Sequence, residues 1–159
     1  MKRSKELKPL SAEHHQALLL AFQVRKSLEG HAETAGAPRD VPGLIASVRR
    51  FHEKIFLPHA AAEEELLGRY LTEGDMRRLK AEHGELTLHV RASRSGPQAG
   101  QRAALQAFAE LLERHVRWEE RELFEYAEAN LDHEALAAIG GELERRLVLA
   151  GQGAKAARR

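Results

Sequence analysis

The stretch His115-Val116-Arg117-Trp118-Glu119-Glu120-Arg121-Glu122-Leu123-Phe124 has a partial copy at Leu57-Pro58-His59-Ala60-Ala61-Ala62-Glu63-Glu64. Both carry His-x-x-x-Glu-Glu among helix-forming residues. The i, i+4 spacing stacks the histidine and the first glutamate on one face of a helix. A second repeat alternates with the first along the chain, since Leu10-Ser11-Ala12-Glu13-His14 matches Leu79-Lys80-Ala81-Glu82-His83. Four segments, each with a histidine or a histidine and glutamate, therefore follow one another in the order of two helix pairs.

Outward from these motifs, apolar residues recur at steps of three and four. The pattern predicts helices from about Leu10 to Leu28, from an Asp40 cap to about Tyr70, from an Asp75 cap to about Arg94, and from Ala103 to Asn130. Gly30 to Arg39, Thr72 to Asp75 and Ser95 to Gly100 read as connections. Asp132 is placed to cap a shorter fifth helix through Leu149, with Gly140-Gly141 as a weak point. Pro58 should kink or widen the second helix beside His59.

Short connections favour antiparallel neighbours, so the expected fold class is all-α: an antiparallel up-down-up-down four-helix bundle with an additional short C-terminal helix. The expected organisation is an N-terminal extension over residues 1–9, the bundle and fifth helix over 10–149, and a disordered tail over 150–159. A chain of 159 residues supports one domain with a real core.

Composition narrows the chemistry. With 25 Lys and Arg against 24 Asp and Glu, the net charge of +1 supplies no general field for nucleic acid or an anionic membrane. No apolar run reaches the roughly 20 residues of a membrane span, so a soluble cytoplasmic protein is the expectation, with neither nucleic acid nor membrane as a partner. The absence of cysteine excludes disulfides, thiolate zinc sites and iron–sulfur clusters. Any transition metal must be held by nitrogen and oxygen.

Among the histidines and glutamates on the seams predicted to face the core, six fall in one layer: His14, His59, Glu63, His83, His115 and Glu119. The seam of the second helix runs through Ile45, Val48, His52, Ile55, His59, Glu63, Leu66 and Tyr70, and that of the fourth ends at Tyr126. Residues equally distant from a hairpin turn lie level. Glu63 and His83 are each about 10 residues, or about 15 Å of helix, from the turn between them, and the other four fall near the same height. A single core histidine is usually hydrogen-bonded structure. Six such residues in one layer are different, because buried carboxylates need a compensating charge, and a cation bound by imidazole and carboxylate provides it.

These residues resemble the hemerythrin-like (HHE) cation-binding family. There a four-helix bundle houses iron through an early Glu/Asp-His, a His-x-x-x-Glu on the second helix, a His on the third and a His-x-x-x-Glu on the fourth. The resemblance covers about Leu10 to Leu149. It implies metal ligands at His14, His59, Glu63, His83, His115 and Glu119, holding two iron ions with room for an oxo or hydroxo bridge. Zinc or manganese would suit the same donors. Oxygen-carrying hemerythrins have a second histidine one turn after the third-helix ligand, where this chain has Thr87. The set becomes four His and two Glu, a more open or more symmetric site, with His52 or His15 as candidates for a seventh ligand.

The implied function is a non-haem iron protein that binds or senses dioxygen or iron. The competing readings are a peroxide- or nitric-oxide-consuming oxidoreductase at the same site, and a helical module without metal. Of the remaining residues, His52 is expected in packing or in support of a ligand, and His15 in helix packing. His31, His89 and His133 are expected at the surface or in loops, Glu64 and Glu120 facing solvent or arginines, Tyr70 and Tyr126 capping core layers, and Trp118 packing in the core.

Overall fold

Proline and short polar side chains cut the chain into helices where free backbone N–H groups need partners. The computed structural model of the chain describes residues 3–156, with side chains as far as Leu147. It is helical, with no strand among the described residues. The elements are α1 (Lys8–Leu28), α2 (Ala32–Ala35), α3 (Val41–Phe51), α4 (Leu57–Ala62), α5 (Glu73–Ala92), α6 (Gln98–Trp118), α7 (Phe124–Asn130) and α8 (His133–Ala156).

Asp40 caps α3 by accepting a 2.6 Å hydrogen bond from the Gly43 N–H, and Asp132 accepts one of 2.8 Å from Ala135 ahead of α8. The cap of α5 is Thr72 and not the expected Asp75. The Thr72 hydroxyl accepts from the Asp75 N–H and donates to its carboxylate, so Asp75 is the inner member of a reciprocal cap. The fourth helix likewise begins at Gln98, earlier than the expected Ala103, because the extended Pro97 offers its carbonyl to the Gln101 N–H. One turn of helix, α2, interrupts the connection expected between Gly30 and Arg39.

The second expected helix is one continuous rod of changing pitch. Five-residue π-helical turns occupy His52–Phe56 and Glu63–Leu67, and a 3₁₀ turn closes it at Gly68–Tyr70. A third π turn, Glu119–Leu123, joins α6 to α7. The first lies directly before Pro58, where widening accommodates a residue with no N–H to donate. The other two start at the two glutamates of the repeat. Each π turn shifts the buried face. Phe56 takes the inner position expected for Ile55, Leu67 is fully buried where Leu66 is partly exposed, and Ala127 replaces Tyr126, which is exposed. Tyr126 therefore caps no core layer, whereas Tyr70 is half-buried against the core.

The apolar core is divided in two. One cluster is built around Ala17, Val48, Leu86, Phe108 and Leu112, the other around Leu10, Leu67, Leu79, Leu123 and Phe124. The boundary falls at the polar residues. In α1, His14 separates Leu10 from Ala17; in α5, His83 separates Leu79 from Leu86; in α6, His115 and Glu119 lie between Leu112 and Leu123. Along the chain, α1 and α5 pass from the second cluster to the first, while the other two rods pass from the first to the second.

Helix α8 packs against α4, the His52–Phe56 turn and α1. It continues to Ala156, past the expected end at Leu149 and through most of the segment expected to be disordered; residues 157–159 lie outside the described residues. No described helix is long and apolar enough to cross a membrane.

Gly140 and Gly141 are not equivalent. A Cβ on Gly140 would lie 3.0 Å from the Glu6 Cα, whereas one on Gly141 meets nothing within 4 Å. Gly141→Ala should therefore raise stability by up to about 1 kcal/mol through helix propensity, and Gly140→Ala should lower it by forcing α8 away from the N-terminal segment. Thermal denaturation of the two variants reads the opposite signs.

Candidate metal centre

Each of the four rods contributes to the layer between the two apolar clusters. His14 comes from α1, His59 and Glu63 from α4 and its following π turn, His83 from α5, and His115 and Glu119 from α6 and its following π turn. The four rings are 2–5% exposed and both glutamates are fully buried. The structure thus brings all six sequence-predicted residues together.

Four further carboxylates fix the rings. His14 Nδ1 lies 2.7 Å from Glu120, His59 Nδ1 2.8 Å from Glu13, His83 Nδ1 2.8 Å from Glu64, and His115 Nδ1 2.7 Å from Glu82. A carboxylate accepts and cannot donate, so each Nδ1 carries a proton and each neutral ring turns the lone pair of Nε2 inward. Glu64 and Glu120 are therefore ring holders, a role added to the expected contacts with solvent or arginines, since both are partly exposed and Glu120 also pairs with Arg3. Glu13 and Glu82 are ring holders that the apolar seams do not reveal. Their signal lies in the repeats, where Glu13-His14 matches Glu82-His83 and Glu63-Glu64 matches Glu119-Glu120. Arginines do enter the network beyond the ring holders: Arg3 pairs with Glu120 at 2.8 Å and Arg78 with Glu82 at 2.9 Å.

The inward atoms form two groups. Glu63 Oε1 is 3.0 Å from His59 Nε2, and Glu119 Oε2 is 3.0 Å from His14 Nε2; the two imidazole nitrogens are 3.1 Å apart. On the other side, Glu63 Oε2 is 3.4 Å from His83 Nε2, and Glu119 Oε1 is 2.9 Å from His115 Nε2. Each glutamate thus divides its two oxygens between two histidine pairs. His14, His59, Glu63 and Glu119 form one set of donors that could hold a metal ion, and Glu63, His83, His115 and Glu119 form the other.

These separations are short enough for hydrogen bonds, but the angles are wrong. All four carboxylate oxygens, and Nε2 of His83 and His115, are buried without a hydrogen-bond partner. His14 Nε2 and His59 Nε2, 3.1 Å apart, lie within hydrogen-bond geometry, but with both protons on Nδ1 each presents a lone pair to the other. Donors bound to one cation at about 2.1 Å and at right angles lie about 3 Å apart, so the spacing fits ligands sharing an ion. The residues present fit a pair of cations.

The family model described as Hemerythrin HHE cation binding domain matches residues 6–127. The chain belongs to this family. No curated protein and no solved structure matches it. Membership in the hemerythrin family implies cation binding, and the two His/Glu groups are the donors available for it among the described residues.

The other histidines lie outside these groups. His15, His31 and His133 are exposed, and His89 is partly buried beside Glu85 at 3.5 Å. His52 is buried, with Nε2 2.9 Å from the Thr87 hydroxyl, the position where oxygen-carrying hemerythrins have another histidine. It stacks on Phe56 at 5.5 Å, and burial lowers its pKa. Trp118 is buried beside His115 with Arg78 over its ring at 4.1 Å, a packing role as expected.

Electrostatics follow from the same geometry. Burial works against charge on His59, but Glu63 and Glu13 outweigh it and raise its pKa to about 9. His83 rises to about 10 against the same penalty, through Glu119 and Glu63. Burial and the charge of Glu119 push Glu63 up, yet His59 and His14 hold it well below the usual carboxylate range, and Glu119 is likewise lowered by His115, His14 and His83. Without a cation, a second proton on the rings supplies the compensating charge. Because these ring pKa values lie above the ordinary 6.5, their stabilisation is complete below that pH and is lost as pH rises through about 9 to 10. Metal-stripped protein should therefore lose thermal stability between pH 7 and 10, while metal-loaded protein, with cations in place of those protons, should not. Melting curves across that range compare the two.

Proposed function

We propose that the protein is a non-haem iron protein whose di-iron centre, held by His14, His59, Glu63, His83, His115 and Glu119, binds or senses dioxygen or iron. The observation that carries this reading is the division of Glu63 and Glu119 between two histidine pairs, which suits two bridging carboxylates. Family membership and the partnerless buried donors support it. The same reading includes an antiparallel up-down-up-down order of the four rods, supported by their alternating passage between the two apolar clusters.

A bound iron pair would supply Lewis acidity and redox chemistry toward a small ligand such as dioxygen, peroxide or nitric oxide. The chain's own residues supply orientation and exclusion. Four carboxylates hold the rings, and a cavity of about 10 Å³, room for one water-sized molecule, lies against His14, His59, His115 and Glu119. Its apolar walls are Ala17, Phe51, Ile55, Phe56, Leu112 and Val116. A small uncharged ligand fits such a space better than a hydrated ion.

Four histidines and two shared glutamates give each ion four donors. The larger number of open positions favours a second reading, an oxidoreductase that consumes peroxide or nitric oxide at the same centre. A reversible spectrum on exposure to dioxygen supports the first; multiple turnovers with peroxide or nitric oxide support the second.

Anaerobic reconstitution with iron followed by metal counting tests the centre itself. Wild type should retain about two ions per chain and His31→Ala the same, while Glu63→Ala, Glu119→Ala and His115→Ala retain fewer. Equal retention in all five proteins refutes the proposal. Removal of a ring holder acts more gently: Glu82→Ala should weaken metal affinity by roughly 10–100-fold while leaving the stoichiometry reachable at high metal. A competition titration against a chelator measures that loss.

A further inference from the structure

Phe56 is the residue common to the walls of two spaces. Its inner side faces the small cavity over the candidate metal centre. Its outer side faces an open groove of about 870 Å³ between α4 and α5. Ala60, Ala81 and Gly84 line this groove, together with Leu57 and Leu88, which are 46% and 61% exposed.

We propose that this groove is the entrance through which small uncharged molecules reach the cavity, and that the Phe56 ring is the barrier setting the rate and size of what passes. The ring is 4% exposed, stands edge-on to His83 with centroids 5.5 Å apart, and stacks on His52. One aromatic ring separates the two spaces. Phe56 ends the π turn His52–Phe56, and the His52–Thr87 hydrogen bond ties that turn to α5, so the ring is held from both sides of the groove. The cavity walls toward Leu112 and Val116 lead into fully packed core. The wall toward Ile55 and Glu13 is nearer the surface, but it presents a carboxylate tied to His59 at 2.8 Å. The groove carries charged residues too, Glu64, Lys80, Glu85 and Arg91, with Glu64 tied to His83 at 2.8 Å, but most of its exposed lining is apolar, which favours uncharged solutes.

The inference rests on the proposed metal centre for one of its two readouts only. In the first, nitric oxide is mixed with ferrous protein and its association rate is followed by absorbance, with metal content measured for each variant. Phe56→Ala should speed association by roughly tenfold. Gly84→Trp, at a site where an added Cβ meets nothing within 4 Å, should fill the groove and slow it by a similar factor. Gln16→Trp, on the exposed side of α1 one turn from Glu13 and outside the lining of both spaces, should leave it unchanged. The second readout needs no metal. Dioxygen quenching of Trp118, the single tryptophan, whose ring centroid is 6.1 Å from that of His115, should rise in Phe56→Ala and fall in Gly84→Phe, which fills the groove without adding a second tryptophan. If wild type binds no iron, the metal proposal falls and the quenching still decides access. Rates unchanged in both Phe56→Ala and Gly84→Trp, or slowed by Gln16→Trp instead, overturn the inference. Should Phe56→Ala fail to fold, Gly84→Trp decides alone.

Discussion

Two carboxylates with no exposure, Glu63 and Glu119, dictate the arrangement of everything around them. Taking an ion of this size out of water costs several kcal/mol even after the surroundings relax. Apolar residues at those positions would have joined the two core clusters into one. Instead the core is cut across its middle, and each rod gives up one or two buried positions to imidazole or carboxylate. The compensating positive charge has to lie between the glutamates, because that is where all four of their oxygens and the inward ring nitrogens converge.

Convergence requires oriented rings as well as buried ones. An imidazole free to flip would present Nδ1 or Nε2 to the centre without preference. The outer carboxylates remove that choice, and they do so across helices. Glu13 of α1 holds His59 on α4, and Glu82 of α5 holds His115 on α6; in return Glu120 holds His14 and Glu64 holds His83. These bonds tie neighbouring rods together through the same polar layer that carries the inner donors. The ring geometry and the helix packing are consequently one constraint, and a change at Glu82 is felt at His115 without any contact with the inner carboxylates.

The six inner residues are legible in the sequence because helical spacing and the doubled motifs survive any small error in helix boundaries. The limits of that reading are equally physical. A period of 3.6 residues cannot anticipate a π turn, and three of them occur in the rods carrying the His-x-x-x-Glu motifs. Each inserts one residue, so the regular period puts Ile55, Leu66 and Tyr126 on the inner face while Phe56, Leu67 and Ala127 occupy it. Glu64 and Glu120 escape the sequence reading because a glutamate next to a buried one points about 100° away on a helix, normally toward water. Here that direction leads to a histidine on another rod. Thr72 and Asp75 are both good caps in isolation, and only the reciprocal bond between them shows which one lies outside the helix.

The two halves of the site are related by the repeat, but their surroundings are not. Glu120 is gripped by Ser11 at 2.6 Å and by Arg3, whose guanidinium also lies over Phe124, the ring stacked on His14. Its counterpart Glu64, about equally exposed at 31% against 29%, lies at the rim of the groove beside Phe56 and is paired among the described residues with His83 alone. Glu82 pairs with Arg78, and Glu13 lines the cavity. A carboxylate paired with a guanidinium is a weaker acceptor from the ring it holds, whereas one without a cationic partner leaves its ring a stronger donor. The surroundings of His14 and His83 are therefore chemically distinct despite matching sequence motifs. The repeated motifs supply a symmetric set of histidines and glutamates, and Arg3, in the segment before α1, makes it unequal by pairing with Glu120 while Glu64 lies beside an open groove.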